Sequence, residues 1–275
     1  MSLLIAAVLG LVQGLAEFLP ISSSGHLSVL QSFFGMDEVD ILFDVLLHFA
    51  TLIAICVVYR RDIADMIREL IGFFRDINHP KPEQGDPKPA RRLALMIIIA
   101  TLPLIIVLPF KGYIDKLNNN TWFIGIAFLV TGAILFLSDK MRNGRKTEKN
   151  MSVADAVKIG LVQAVATLPG ISRSGSTITA GMATGLNRNF AVKFSFLMSL
   201  PAVLGATLIE LYNALQNGAD SSRFLAYLLG MVIAGVTGFF AIKIVRLLSQ
   251  KGKFGKFCWY CFFAGILTIV LTIIL

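Results

Sequence analysis

Residues 1 to 26 can be written above residues 151 to 176 without a gap, and this match constrains the fold more than any other feature of the chain. Met1 and Ser2 fall on Met151 and Ser152, and Gly10, Leu11, Val12 and Gln13 fall on Gly160, Leu161, Val162 and Gln163. Ile21, Ser22, Ser24 and Gly25 then fall on Ile171, Ser172, Ser174 and Gly175. The chain is therefore an internal duplication, and its fold must bring two related units together.

Apolar runs follow each copy, near 41 to 59, 93 to 110, 121 to 138, 190 to 212, 224 to 248 and 257 to 275. Each is close to the ~20 residues that cross a hydrocarbon layer of ~30 Å as a helix. Only 15% of residues are charged and the mean hydropathy is +0.75, whereas soluble domains carry roughly a quarter charged residues. A multi-pass membrane protein with six spans is expected. The apolar N-terminus lacks the basic flank and cleavage site of a signal peptide, so it is expected to belong to the mature fold.

Each copy is a special segment followed by three spans, and three is odd. If the first copy starts outside, the second must start inside and run upside down. The net charge of +8 points the same way. Basic residues gather at 60 to 92, 140 to 149 and 251 to 256, which the positive-inside rule makes cytoplasmic, leaving 111 to 120 and 213 to 222 outside. Nucleic acid is not an expected partner, because these charges flank spans instead of lining one face. Residues 62 to 75 are expected as a surface helix and 79 to 89 as a proline-rich loop.

The special segments are too short and broken to span. Residues 3 to 16 would be ~20 Å of helix before Pro20 interrupts, and residues 22 to 34 give a second arm. Each reads as a re-entrant hairpin, whose non-helical tip is tolerated at that depth only where protein buries it or it lines a wet cavity. The expected fold is thus an all-α integral membrane protein, with six transmembrane helices and two re-entrant helical hairpins in an inverted-topology repeat. It forms one membrane domain over 1–275, with a first repeat at 1–140 (hairpin 3–34) and a second at 151–275 (hairpin 152–185).

Where the tips meet, an anion belongs. The arms starting at Ser22 and Ser172 would aim positive helix ends at a shared cavity. Ser22, Ser24, Ser172, Ser174 and Thr177 add hydroxyl donors, Gly25 and Gly175 permit close approach, and Arg173 adds a fork suited to phosphate or carboxylate. The first hairpin also carries Gln13 and Glu17 on one helix face and His26 three residues after Ser23. A serine, a histidine and a glutamate beside a phosphate cradle suggest a nucleophile, an acid or base, and a group that orients the base or holds a divalent cation. The second copy has Thr167 and Ser176 at the positions of Glu17 and His26. One half supplies reactive groups and the other an anion clamp.

These residues resemble a known family. QGLAEFLPISSSGH, starting at Gln13, is similar to the first signature of the bacterial undecaprenyl-diphosphatase (bacitracin-resistance) family, and LPGISRSGSTITAG, residues 168 to 181, is similar to its second. The resemblance implies a plasma-membrane enzyme, with its site facing the outer side, that hydrolyses undecaprenyl diphosphate to the monophosphate carrier used in cell-wall synthesis. It implies Glu17 as the essential motif glutamate, Ser23 as the nucleophile, His26 as the catalytic histidine and Arg173 as the diphosphate-binding arginine. It also implies a divalent cation, Mg²⁺ or Ca²⁺, near Glu17 and Gln13. Gln13 stands where many relatives have a second glutamate, which favours a cation bridged mainly by the substrate's phosphates. Undecaprenyl diphosphate and membrane lipids are the expected partners, with scope for a homodimer.

Other readings stand beside these. The serines also suit helix caps, Glu17 also suits a structural pair with Arg173, and direct attack by histidine or by water rivals attack by Ser23. Asp44 and His48 sit four apart in a span and suit a supporting role. His79 falls in a loop and carries no expectation, and Glu210 is expected to be solvated. CWYC, residues 258 to 261, reads as packing in a lipid-facing helix. Broken helices in an inverted repeat also suit a secondary transporter or lipid translocase for an anion.

Overall fold

The computed structural model describes residues 1–33, 35, 41–78, 88–216 and 223–274, whose regular structure is helical. Most of the proline-rich stretch (79–87, with His79), Phe34, residues 217–222 and the side chain of Glu210 lie outside the described residues.

The first copy opens with α1 (Leu3–Phe18), capped by Ser2, whose hydroxyl accepts from the Ile5 amide at 3.2 Å. The helix stops where the residue before a proline must leave the helical region: Leu19 is extended, and Pro20 follows. After a tight reversal, α2 (Ser23–Phe33) runs back. The second copy repeats the pattern with α8 (Val153–Val165) and α9 (Arg173–Ala183), starting 150 residues after Leu3 and Ser23 respectively. Ser152 and Asp155 form a capping box at the start of α8. Asp155 also accepts from Lys146 Nζ through both carboxyl oxygens, at 2.9 and 2.8 Å.

Between the copies lie α3 (Ile41–Val58), α4 (Arg60–Asn78), α5 (Pro89–Thr101), α6 (Lys111–Asn118) and α7 (Thr121–Lys140). After α9 come α10 (Arg188–Gln216), α11 (Phe224–Gln250) and α12 (Phe257–Ile274). A 3-10 stretch over Leu102–Phe110, carrying Pro103 and Pro109, joins α5 to α6 into one 30-residue rod. Among the described residues five helices are long and apolar enough to cross a membrane, and a sixth if α3 and α4, bent by 83°, count as one span. The five fall on five of the six expected runs, and α3 by itself covers the remaining one, 41 to 59. The chain is a multi-pass membrane protein. The expected surface helix at 62–75 is part of α4, where Asp62 pairs with Lys193 of α10 at 2.5 Å.

Small residues set the packing. α1 lies against α11, where a Cβ on Gly10 would stand 3.0 Å from Gly230 Cα and one on Gly14 would stand 3.0 Å from Ala234 Cα. α8 lies against α5, where a Cβ on Gly160 would stand 3.0 Å from Ala100 Cα. In lipid, where apolar side chains gain little by leaving their surroundings, such close backbone approach is what binds helices together. α7 and α12 meet reciprocally at Gly125 and Gly265, each facing the other's carbonyl oxygen.

Candidate active site

The end of α1 places Glu17 in the interior, with its side chain 6% exposed. Helical spacing puts Gln13 one turn earlier on the same face, and its Nε2 donates to Glu17 Oε2 at 3.1 Å. The chain reversal brings the first residue of α2 back to the same carboxylate, so that Ser23 Oγ donates to Oε2 at 2.7 Å. Arg173, the first residue of α9, donates through Nη2 to Oε1. His48 of α3 completes the ring, its Nε2 3.8 Å from Oε2. A buried carboxylate is expensive unless paired and hydrogen-bonded, and this one is both.

The two reversals are built alike and touch. Ser22 Oγ accepts from the Gly25 amide at 3.4 Å and lies 3.4 Å from Ser24 Oγ. Ser172 Oγ accepts from Gly175 at 3.1 Å and lies 3.3 Å from Ser174 Oγ. The expected capping role is therefore real, and it leaves the first amides of α2 and α9 without intrahelical acceptors. The Gly170 amide donates to Ser24 Oγ at 3.4 Å, a Cβ on Gly25 would stand 3.0 Å from Gly170 Cα, and a Cβ on Gly175 would stand 3.1 Å from Pro20 Cβ. Thr131 of α7 clamps the second reversal, donating to the Gly170 carbonyl at 3.3 Å and accepting from the Ser172 amide at 3.1 Å. Ser22 holds φ at 71°, a left-handed conformation uncommon for a residue with a side chain, and such strain gathers at functional sites.

His26 is held by groups other than Ser23. The ring shares α2 with Ser23, and the acceptor of the Ser23 hydroxyl is Glu17. His26 Nδ1 lies 2.7 Å from the Ser22 carbonyl and Nε2 lies 2.7 Å from Tyr260 Oη on α12. Thr177, one of the hydroxyls expected near substrate, bonds Ser195 Oγ of α10 at 2.6 Å and donates to the Arg173 carbonyl at 2.8 Å, tying the start of α9 to α10.

A cavity of about 10 Å³ is lined by Glu17, Phe18, Arg173, Ser174, Ser195, Phe196 and Ser199. That is room for about one water. Sequence reasoning missed Ser195 and Ser199, although two serines four apart in a span are the kind of intramembrane polar residues that mark a site. Tyr260 falls in the CWYC segment read as packing, and no local signal ties it to His26.

Among the described residues no three of His, Cys, Asp and Glu gather as a metal-binding group. The oxygen donors at hand are Glu17 and Gln13 Oε1, the latter buried without a partner. This pair is too thin for an all-protein cage but fits a hard cation that takes its remaining ligands from phosphate and water.

Among known proteins, the chain is 41% identical over 271 residues to the undecaprenyl-diphosphatase of Alkaliphilus metalliredigens, with 98% of each chain covered. It is 38% identical over 269 residues to that of Carboxydothermus hydrogenoformans, covering 97% of this chain and 96% of the relative. It is also 38% identical over 279 residues to that of Methanosphaera stadtmanae, with both chains fully covered. The pattern described for bacitracin resistance protein BacA matches residues 6–267, and it is to this family that the chain belongs.

Proposed function

We propose that the chain is a membrane phosphatase that hydrolyses undecaprenyl diphosphate to undecaprenyl phosphate and phosphate, renewing the lipid carrier for cell-wall synthesis. The observation that carries this reading is the convergence of Ser23, Glu17 and Arg173 at one buried point from two hairpins. A transporter has use for an anion clamp but none for a hydroxyl held against a carboxylate.

In this reading the hairpins are re-entrant and the halves form an inverted repeat in the plasma membrane. The packing supports it: α1 uses Gly10 against α11, and α8 uses the equivalent Gly160 against α5, so each hairpin leans on the second long helix of the other half. The site opens to the outer side, the face away from the basic loops.

Arg173 exchanges Glu17 for the terminal phosphate, aided by the amides and hydroxyls at the starts of α2 and α9. Ser23 Oγ attacks the terminal phosphorus and passes its proton to Glu17 Oε2. The bond from phosphorus to the bridging oxygen breaks, and undecaprenyl phosphate leaves with that electron pair. Water then attacks the phosphoserine, His26 Nε2 takes the water proton, and Ser23 recovers its own from Glu17 as the Oγ–phosphorus bond breaks. Phosphate accepts the proton from His26 on departure. A divalent cation, Mg²⁺ or Ca²⁺, held by Glu17, Gln13 Oε1 and the substrate, would supply further charge neutralisation.

The test uses purified protein in vesicles carrying a long-chain prenyl diphosphate, with released phosphate and transbilayer lipid movement measured together, with and without chelator. Phosphate release that stops on chelation and returns with Mg²⁺ is expected. Lipid movement without phosphate release would establish a translocase instead.

A further inference from the structure

The segment CWYC at 258 to 261 touches the first hairpin at two points. Cys261 Sγ lies 3.6 Å from the Pro20 carbonyl in the reversal, and Tyr260 Oη lies 2.7 Å from His26 Nε2. The Tyr260 and His26 rings are stacked at 5.6 Å between centroids and 14° between planes, while Phe128 of α7 packs on His26 at 4.8 Å.

The hydrogen bonds fix the ring chemistry. The Ser22 carbonyl can only accept, so Nδ1 carries hydrogen. In the neutral ring Nε2 then holds the lone pair, and the Tyr260 hydroxyl donates to it. Ser22 and Tyr260 therefore select the same tautomer from opposite ends, and the two aromatic rings restrain the ring plane.

From this we infer that Tyr260 is a positioning residue for His26, keeping Nε2 ready as the base for water and releasing it when substrate arrives. The inference rests on the proposed role of His26. A tyrosine hydroxyl can both donate and accept, so once released from His26 it can donate to a water or a phosphate oxygen in the same place. Helix α12 thereby belongs to the site and does more than pack.

The experiment records ¹⁵N-histidine spectra of the full-length protein in micelles without substrate, for the unaltered chain and Tyr260→Phe, with His26→Asn assigning the His26 signals. Phosphate release from a long-chain prenyl diphosphate is measured on the same preparations. Tyr260→Phe keeps the stacked ring and removes only the hydroxyl. The expected result is a His26 Nε2 resonance that leaves its hydrogen-bonded position, with kcat lower by about tenfold and KM within about twofold. Trp259→Phe, on the exposed side of α12, should change neither. An unmoved Nε2 resonance, or a moved resonance with unaltered kcat, overturns the inference. If the unaltered protein itself releases no phosphate, the functional reading falls, and Tyr260's part in catalysis falls with it whatever the spectrum shows.

Discussion

The Glu17 carboxylate at the end of α1 and the Arg173 guanidinium at the start of α9 form an ion pair across the two hairpins. Residues 3 to 33 contain no lysine or arginine, so the first hairpin has no permanent cation of its own for Glu17. Arg173→Ala leaves that carboxylate buried without its guanidinium partner, with only the hydrogen bonds of Gln13 and Ser23 and the nearby His48, and removal of one member of a buried pair costs about 3–5 kcal/mol. Adding Glu17→Gln to Arg173→Ala should restore much of the thermal stability while phosphate release stays abolished. If the double variant is no more stable than Arg173→Ala, the pair is not what holds the hairpins together.

Ser23 is set apart from its neighbours by its bond to Glu17. Ser23→Ala should lower kcat by about a thousandfold or more, whereas Ser22→Ala, which removes a cap, costs about 1 kcal/mol of stability. Acid-quenched protein given a labelled diphosphate should carry the label on Ser23. Near-normal turnover by Ser23→Ala would replace the serine mechanism with direct attack by water or histidine.

The close helix contacts predict paired effects. In Gly10→Ala and Gly160→Ala the new methyl meets backbone, which cannot move aside, and each should lose about 1–3 kcal/mol. Gly205→Ala faces open space and should be neutral within about 0.5 kcal/mol. Thermal unfolding in one detergent compares all three. Unequal losses at Gly10 and Gly160 would argue against equivalent contacts in the two halves.

Asp155 lies outside the spans and gives the fold an acid-sensitive point. Burial raises its pKa, but the hydrogen bond from Lys146 and the capping bonds with Ser152 outweigh that and hold the carboxyl below its ordinary 3.8. Because the folded value is depressed, its stabilisation is complete above the ordinary value and is lost as pH falls through the folded one. Unfolding temperature measured from about pH 6 down through the ordinary carboxylate range near 4 should fall less steeply for Asp155→Asn than for the unaltered chain. Parallel curves would show that the pair contributes nothing.

The structure also separates what spacing can and cannot say about chemistry. The i, i+4 relation between Gln13 and Glu17 survives as a hydrogen bond, because both lie within one helix. The i, i+3 relation between Ser23 and His26 does not become a hydrogen bond. Ser23 is the first residue of α2, and its hydroxyl turns back across the reversal to Glu17 while His26 faces α12. Asp44 and His48 show the same division. His48 Nδ1 bonds the Asp44 carbonyl one turn back, at 2.9 Å, while its Nε2 faces Glu17 on another helix.

The linear order of residues determined the membrane class, the duplicated hairpins, the spans and most of the polar residues at the site, because hydropathy, helix period, caps and proline act over a few neighbours. Folding decided which of those residues meet. Glu17 with Arg173, His48 with Glu17, Ser195 with Thr177 and Tyr260 with His26 each join residues of two different helices, from 18 to 234 residues apart, and no helical period within one element encodes a partner on another.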